Sequence, residues 1–333
     1  MKAAWWQPCA NGQAACTLCP IGCRLRIGQT GPCGTRANHD GRMEPLHYGR
    51  IVSLGVDPIE KKPLYHFHPG KPIMSVAAPG CNLHCLFCQN WSISQGKGQA
   101  TREIQPEQLV QLARAEASVG LAYTYSEPLV WFEFVRDTSG LIRKAGLKNV
   151  LVTNGFLNAE PLAEILPTID AANIDLKAMD DRFYRRVCKA RLKPVLAAIR
   201  QFLEAGVHVE LTNLIIPGHN DSPEMLQKLV NFVAQLEKDF QVAVPLHFSA
   251  YRPAWKMDAP ATPRATLLQA LEVARKQLTW VYLGNVAGSE GRDTICPDCG
   301  GVVVQRAGFQ ATVAVSAQGN CGHCGGAVSL IMN

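Results

Sequence analysis

The chain has 333 residues, 47% hydrophobic and 18% charged, which is material for a large core and excludes a disordered chain. It contains no run of about 18 apolar residues that would read as a membrane span. Its first residues, Met1 to Pro8, lack the long apolar segment of a signal peptide. A net charge of +6 admits an acidic partner or substrate, but nucleic acid would call for a sharper basic stripe.

Thirteen cysteines in a small secreted chain would suggest disulfides. Here they fall in short C-x2-C and C-x3-C groups in a large chain without an export signal, which favours metal binding in a reducing cytoplasm. The chain divides into a Cys-rich segment and lead-in over 1–72, an α/β body over 73–290 and a second Cys-rich unit over 291–333. In the first, Cys16, Cys19, Cys23 and Cys33 form a closed four-thiolate set among glycines that permit tight turns. Ligand count alone leaves zinc and an iron–sulfur cluster open there. Cys9 is a spare thiol. His66 and His68, just ahead of the first strand, either cover a nearby site, offer a proton, or sit on the surface.

From residue 73 apolar strands alternate with amphipathic helices. The pattern predicts strands at 73–78, 120–125, 149–153, 172–176, 207–216, 242–248 and 281–283. Helices are expected at 106–118, 129–145 and 194–205, after Ser222-Pro223, and after Thr262-Pro263. The helix at 106–118 should turn Leu109, Leu112, Ala113 and Ala117 inward. Strands recurring every 25–45 residues with helices between them describe a parallel α/β fold, and the length suits a complete or partial parallel barrel. In such folds function gathers after the C-terminal ends of the strands.

After the first strand comes Cys81-Asn82-Leu83-His84-Cys85-Leu86-Phe87-Cys88. Three thiolates fill three sites of a four-iron cluster, which ordinarily takes four. The next cysteine is Cys188, so one iron is left open to a small molecule. A zinc loop wants four closed ligands, and His84 would complete the set only by turning back within its own loop. Later strands end in Ser126-Glu127-Pro128, Thr153-Asn154-Gly155, Asp175-Leu176-Lys177 and Pro217-Gly218-His219. Each is weak alone: a helix-start acid, a turn, a rim ion pair and a lone histidine. Cys188 lies among Arg182, Arg185, Arg186 and Lys189, which would lower its pKa if they faced it and make it a candidate hydrogen-atom donor; the favoured reading is a plain buried thiol beside a solvated basic face. At the end of the chain Cys296, Cys299, Cys321 and Cys324 form two C-x2-C-G knuckles flanking strand-like residues, the pattern of a zinc ribbon, with a rubredoxin-like iron site as runner-up.

The C-x3-C-x2-C loop, with aromatic Phe87 before its last cysteine, resembles the signature of the radical S-adenosylmethionine (SAM) superfamily. The strand-end motifs together resemble the SAM-binding pattern of its activating enzymes, such as those acting on pyruvate formate-lyase, although Ser126 departs from their paired glycines. Asp57 to Gly70, then Pro79 to Trp91, resembles the radical SAM enzymes of AmmeMemoRadiSam systems. These resemblances imply a radical SAM-type (β/α) barrel in which Cys81, Cys85 and Cys88 hold a [4Fe–4S] cluster. Its open iron would chelate SAM, which is cleaved to a 5′-deoxyadenosyl radical that takes hydrogen from an unnamed substrate. They further imply that Glu127 binds the SAM amino group, that Asn154, Asp175 and Lys177 hold its ribose and carboxylate, and that His219 lies near the adenosyl group. Implied partners are an electron donor such as flavodoxin or ferredoxin, and AMMECR-type and Memo-type proteins. Two other readings stand beside this one: an activator of a glycyl-radical protein, and a metal-stabilised binding protein.

Overall fold

In the computed structural model, which describes residues 2–96 and 98–332, eight strands form the central sheet. They are β1 (Ser53–Pro58), β2 (Pro72–Ala77), β3 (Gly120–Tyr123), β4 (Lys148–Thr153), β5 (Ala171–Asp175), β6 (His208–Ile215), β7 (Leu246–Ala250) and β8 (Val281–Gly284). Neighbours in sequence are neighbours in space, in the order β8-β7-β6-β5-β4-β3-β2-β1. All pairs are parallel except β1 with β2, which is antiparallel. The end strands β1 and β8 are not paired with each other among the described residues, so the sheet is open and mostly parallel rather than a hydrogen-bonded closed barrel. It also begins earlier than expected, because β1 comes from the lead-in. Gly55 and the exposed Val56 hid that strand from the apolar pattern, as suits a sheet edge.

Helices Pro106–Ala115, Phe132–Lys144, Leu192–Glu204, Pro223–Phe240 and Arg264–Arg275 cross between the strands. The first stops short of its expected end, where Ala117 takes a positive φ of 47°. Leu112 and Ala117 are exposed, not inward, while Leu109 and Ala113 are buried. Ser222 caps the fourth helix by accepting from the Met225 N–H at 3.2 Å. The strand expected at 242–248 starts only at Leu246, because Gln241 turns the chain with φ 54° and Pro245 follows. The seven-residue helix Ala159–Ile165 went unread, being too short to show a period.

The N-terminal segment makes a small antiparallel sheet of Trp6–Pro8, Ala14–Cys16 and Arg24–Leu25, and a hairpin of Arg36–His39 with Arg42–Pro45. A buried ion pair between Arg36 and Glu133 fastens it to the Phe132–Lys144 helix. Glu133 also accepts from the Ala4 N–H at 2.8 Å. Asn158 donates from its backbone to Leu18 O (3.1 Å) and from its side chain to Thr17 O (2.7 Å), docking the cysteine loop on the turn after β4.

Residues 59–71 fill the N-terminal end of the parallel strands. Glu210 on β6 accepts from the Tyr65 and His66 backbone N–H groups (3.0 and 2.7 Å) and bonds His208 (3.0 Å) and His247 (2.6 Å). His66 is fully buried against Tyr282 Oη (2.6 Å) and Ser329 O (3.0 Å), and the His68 N–H bonds Ile331 O (2.7 Å). Both histidines therefore lie at the end of the sheet opposite the Cys81 loop, correcting the readings that placed them over a site or on the surface. The C-terminal unit, with strands Thr294–Ile295, Val302–Ala307 and Gln310–Val313, packs on this same end. Arg306 reaches from it to Tyr65 O at 2.8 Å and lies 4.0 Å over the Tyr65 ring. It shares a core of Tyr65, Trp280, Tyr282, Val303, Val304 and Leu330 with the body of the protein.

Candidate active site

Every motif singled out at a strand end lies on the C-terminal rim, because parallel strands place all their following loops on one side. β2 delivers Cys81 through Ala78-Pro79-Gly80. The loop is strapped from three sides. His84 and Leu86 donate backbone N–H bonds to Cys188 O and Val187 O, both at 3.0 Å. Lys256 N–H bonds Leu86 O at 2.9 Å. Asn82, fully buried, gives its amide to Phe156 O at 2.7 Å. His84 is turned to the Gln95 side chain and so is engaged away from the thiols.

The thiols of Cys81, Cys85 and Cys88 lie close enough to feel one another's charge. Burial pushes the Cys81 and Cys88 thiols up from their usual value. Cys85 is held down instead, chiefly by a hydrogen bond from Cys188, whose own thiol burial keeps protonated. Cys188 is thus a buried thiol, as read, but it sits against Cys85, which its sequence position did not reveal. The basic residues beside it, Arg182, Arg185, Arg186 and Lys189, are exposed as expected.

The turn after β4 meets the loop directly. Asn154 Nδ2 donates to Asn82 Oδ1 (3.0 Å) and lies 3.6 Å from Cys81 Sγ, which the Leu83 N–H also approaches at 3.4 Å. Glu127, after β3, is buried. Its carboxylate accepts from Thr153 Oγ1 (2.7 Å), the Asn154 N–H (2.8 Å) and the Leu129 N–H (3.0 Å). Burial outweighs these bonds and pushes its pKa up to about 7. Glu127 therefore also braces the Thr153–Asn154 turn.

Past β5, Lys177 Nζ pairs with Asp175 at 3.0 Å and lies 5.6 Å over the Phe87 ring. Burial works against its charge, but Asp175, Cys85 and Cys188 together hold the ammonium well above the usual lysine value. The turn after β6 is tied in by Asn220, whose side chain donates to Lys177 O (2.7 Å) and Leu214 O (2.8 Å). His219 is exposed on that turn and no described contact brings its side chain to the cysteine loop. Asn213 gives its amide to Leu176 O at 2.7 Å, leaving its Oδ1 and the neighbouring Thr212 Oγ1 buried without protein partners. A cavity of about 380 Å³ opens on the same rim, lined by Tyr251, Arg252, Thr262 and Asn285.

Asn82, Asn213, Asn220 and the Cys188 contact were not singled out from the sequence. Asn82 alone carried a signal, being a small polar residue inside a ligand loop. The others needed the fold to bring their strands together.

The donor set suits an iron–sulfur cluster: three thiols on one loop, Cys85 buried and Cys81 and Cys88 half-buried, with amide N–H groups beside one sulfur, as thiolate clusters use. Comparison with known proteins agrees. The profile of the radical SAM superfamily matches residues 75–233. An uncharacterized protein of Methanocaldococcus jannaschii is 42% identical over 316 residues, 94% of this chain and 93% of that one. The pyruvate formate-lyase 1-activating enzyme of Escherichia coli is 24% identical over 206 residues, 58% of this chain and 84% of its own. Among solved structures, Streptococcus suis SuiB bound to S-adenosylmethionine aligns with a TM-score of 0.51 at 14% identity, over 64% of this chain and 50% of that one, a likeness of fold. The chain carries a radical SAM superfamily domain over residues 75–233. It is an enzyme, and that domain implies cleavage of SAM at an iron–sulfur cluster to make a radical.

At the other end, the four thiols of Cys296, Cys299, Cys321 and Cys324 lie within 4.8 Å of one another. They form a ready metal site. Among the described residues no helix is long and apolar enough to cross a membrane.

Proposed function

We propose that Cys81, Cys85 and Cys88 hold a [4Fe–4S] cluster whose fourth iron takes the amino and carboxylate groups of SAM, and that the rim around it positions SAM for reductive cleavage. When bound, the cluster supplies the electron that breaks the sulfonium bond. The observation that carries this reading is the convergence of Glu127, Asn154 and Lys177 on a loop of three thiols. Glu127 Oε2 accepts one described protein bond and keeps a lone pair for an ammonium donor. Such a cation would pull its raised pKa back down. Lys177, held charged, is suited to a carboxylate or a ribose hydroxyl, with Asp175 fixing its direction. Asn154 orients Cys81 and faces the same space. The orphaned acceptors Thr212 Oγ1 and Asn213 Oδ1 offer places for ligand donors. His219, on the rim, is assigned to the adenosyl side. The cavity beside Arg252 is the proposed seat of the substrate, and the guanidinium in its lining favours an anionic one.

In the same reading the enzyme works in the cytoplasm with a flavodoxin- or ferredoxin-type reductant, and Memo-type and AMMECR-type proteins are its proposed companions. The C-terminal site is a zinc ribbon. Likeness to the pyruvate formate-lyase activating enzyme favours a second reading, hydrogen abstraction from a partner protein backbone. The test is anaerobic reconstitution with iron, sulfide and a strong reductant, followed by assay for 5′-deoxyadenosine. Deuterium transferred into that product from a labelled small molecule supports the first reading. Transfer from a labelled partner protein supports the second. A reconstituted enzyme that makes no 5′-deoxyadenosine overturns both.

A further inference from the structure

Eleven of the cysteines of this chain fall in three groups, two of four and one of three. In the C-terminal site, Cys296 and Cys324 lie 3.7 Å apart, as do Cys299 and Cys321. A tetrahedral ion with bonds of about 2.3 Å to sulfur sets its sulfurs about 3.8 Å apart, so this site is cut for one ion. Among the described residues no other trio of such ligands is as compact. Yet Cys19 feels the charges of Cys16, Cys23 and Cys33, and Cys23 those of Cys16 and Cys33. Cys16, Cys19, Cys23 and Cys33 therefore lie near one another at one shared site. The thiols of the Cys81 loop influence one another in the same way.

A second observation is independent of spacing. Arg36, 1% exposed, lies against Cys16. It gives Nη1 to Ala4 O (2.6 Å) and Nη2 to Glu133, and its Nε is buried without a partner. A buried cationic donor beside a thiol is what the anionic sulfur of a cluster accepts.

The two cysteine loops also touch. The Cys81 N–H donates to Cys33 O at 3.2 Å. Gly80 makes this approach feasible, with φ 100°, and a Cβ there would lie 2.5 Å from both Cys33 O and Thr35 Cγ2. A ligand residue of one site is thus bonded, backbone to backbone, to a ligand residue of the other. On the outer side, Cys23 is partly exposed among exposed Ile21, Arg24, Arg26 and Ile27, a face suited to an acidic redox protein.

We propose that Cys16, Cys19, Cys23 and Cys33 hold a second iron–sulfur cluster that relays electrons to the Cys81 site across the Cys33–Cys81 hydrogen bond. This rests on the reading of Cys81, Cys85 and Cys88 as cluster ligands. A flavodoxin-type donor loses one electron at the Cys23 face, the N-terminal cluster takes it up and passes it on, and the Cys81 site is reduced by one. No bond is made or broken.

The test uses the full chain, reconstituted anaerobically, with iron, sulfide and zinc counted per chain. Freeze-quench electron paramagnetic resonance follows reduction by flavodoxin hydroquinone or by dithionite. The wild type should hold about eight irons, the Cys85→Ala variant about four and the Cys19→Ser/Cys23→Ser double variant about four, since each cubane carries four. The double variant should keep its zinc and the spectral change on adding SAM. Its reduction by flavodoxin should slow by an order of magnitude, while dithionite reduces it at the wild-type rate. Loss of zinc in place of iron from the double variant overturns the cluster. Loss of iron with flavodoxin reduction unchanged overturns the relay. If the double variant does not fold, the Cys85→Ala count decides alone: about four irons supports a second cluster, and none refutes it. A Cys85→Ala variant that loses no iron shows instead that the Cys81 reading has failed.

Discussion

Asn154 Nδ2 stands 3.6 Å from Cys81 Sγ while also donating to Asn82 Oδ1, so one amide joins the turn after β4 to the first cysteine of the loop. Glu127 holds that amide's backbone in place. Three strand ends are thereby locked to one sulfur. Replacing Asn154 by Ala removes both donor contacts and leaves Asn82 Oδ1 buried. Loss of such an outer partner typically costs about 10–100-fold in metal affinity or activity. The Asn154→Ala enzyme should keep its fold, bind iron less tightly and cleave SAM more slowly by that factor, measured as iron retained against a chelator and as 5′-deoxyadenosine formed.

Lys177, paired with Asp175 and lying over the Phe87 ring of the cysteine loop, is the cation proposed to meet a bound ligand. In Lys177→Met the apolar stem is kept and the charge is lost, leaving Asp175 without its partner. A truncated charge pair costs about 2–5 kcal/mol in binding, or more than about tenfold in affinity. Calorimetry of the reconstituted variant should show SAM binding weakened by at least that much at unchanged iron content. Iron loss in place of weakened binding would assign Lys177 to the cluster loop instead.

The sequence made the parallel order of strands and helices readable, because buried strands are continuous apolar runs and their helices carry one apolar face. Cys81, Cys85 and Cys88 were legible because ligand spacing is local. The rim contacts were less so. Asp175 and Lys177 share a face by their own spacing, but Glu127 was read as a ligand group and is also a brace for Asn154, a bond between β3 and β4 that no local pattern encodes. His66 and His68 looked like site residues because they precede the first strand. They run instead to the far end of the sheet, where Tyr282 and the C-terminal segment bury them. Cys188 was dismissed on the base chemistry of free thiols, and only the strap from Val187 and Cys188 to His84 and Leu86 shows how near the site it is.

Stability should fall in acid through Glu210. Burial disfavours its charge, but bonds to His208 and His247 outweigh that and hold its pKa well below the usual 4.5. A depressed carboxylate stabilises the fold at pH values above its unfolded pKa and loses that contribution as pH falls through the folded one. Anaerobic melting temperatures should therefore drop on acidification below pH 4.5, and Glu210→Gln should flatten that slope. The same substitution should cost about 3–5 kcal/mol at neutral pH, as breaking a buried charge network does.

The C-terminal four-cysteine site, proposed above to hold zinc, matters to the rest of the molecule because Arg306 and Ile331 reach from its unit to residues 65–68. Cys296→Ser should lower the bound zinc by about one ion per chain, since the site takes four ligands. It should also expose Tyr65 and Trp280, seen as a red-shifted emission and a lower melting temperature. The iron content should stay as in the wild type.

The central claim is that three cysteines on one loop turn SAM into a radical source. Its most direct measurement is 5′-deoxyadenosine from SAM by the anaerobically reconstituted chain under a low-potential reductant, alongside the Cys85→Ala variant. The account predicts product from the wild type and none above background from the variant. Equal product from both, or none from a wild-type chain with its full complement of iron, would contradict it.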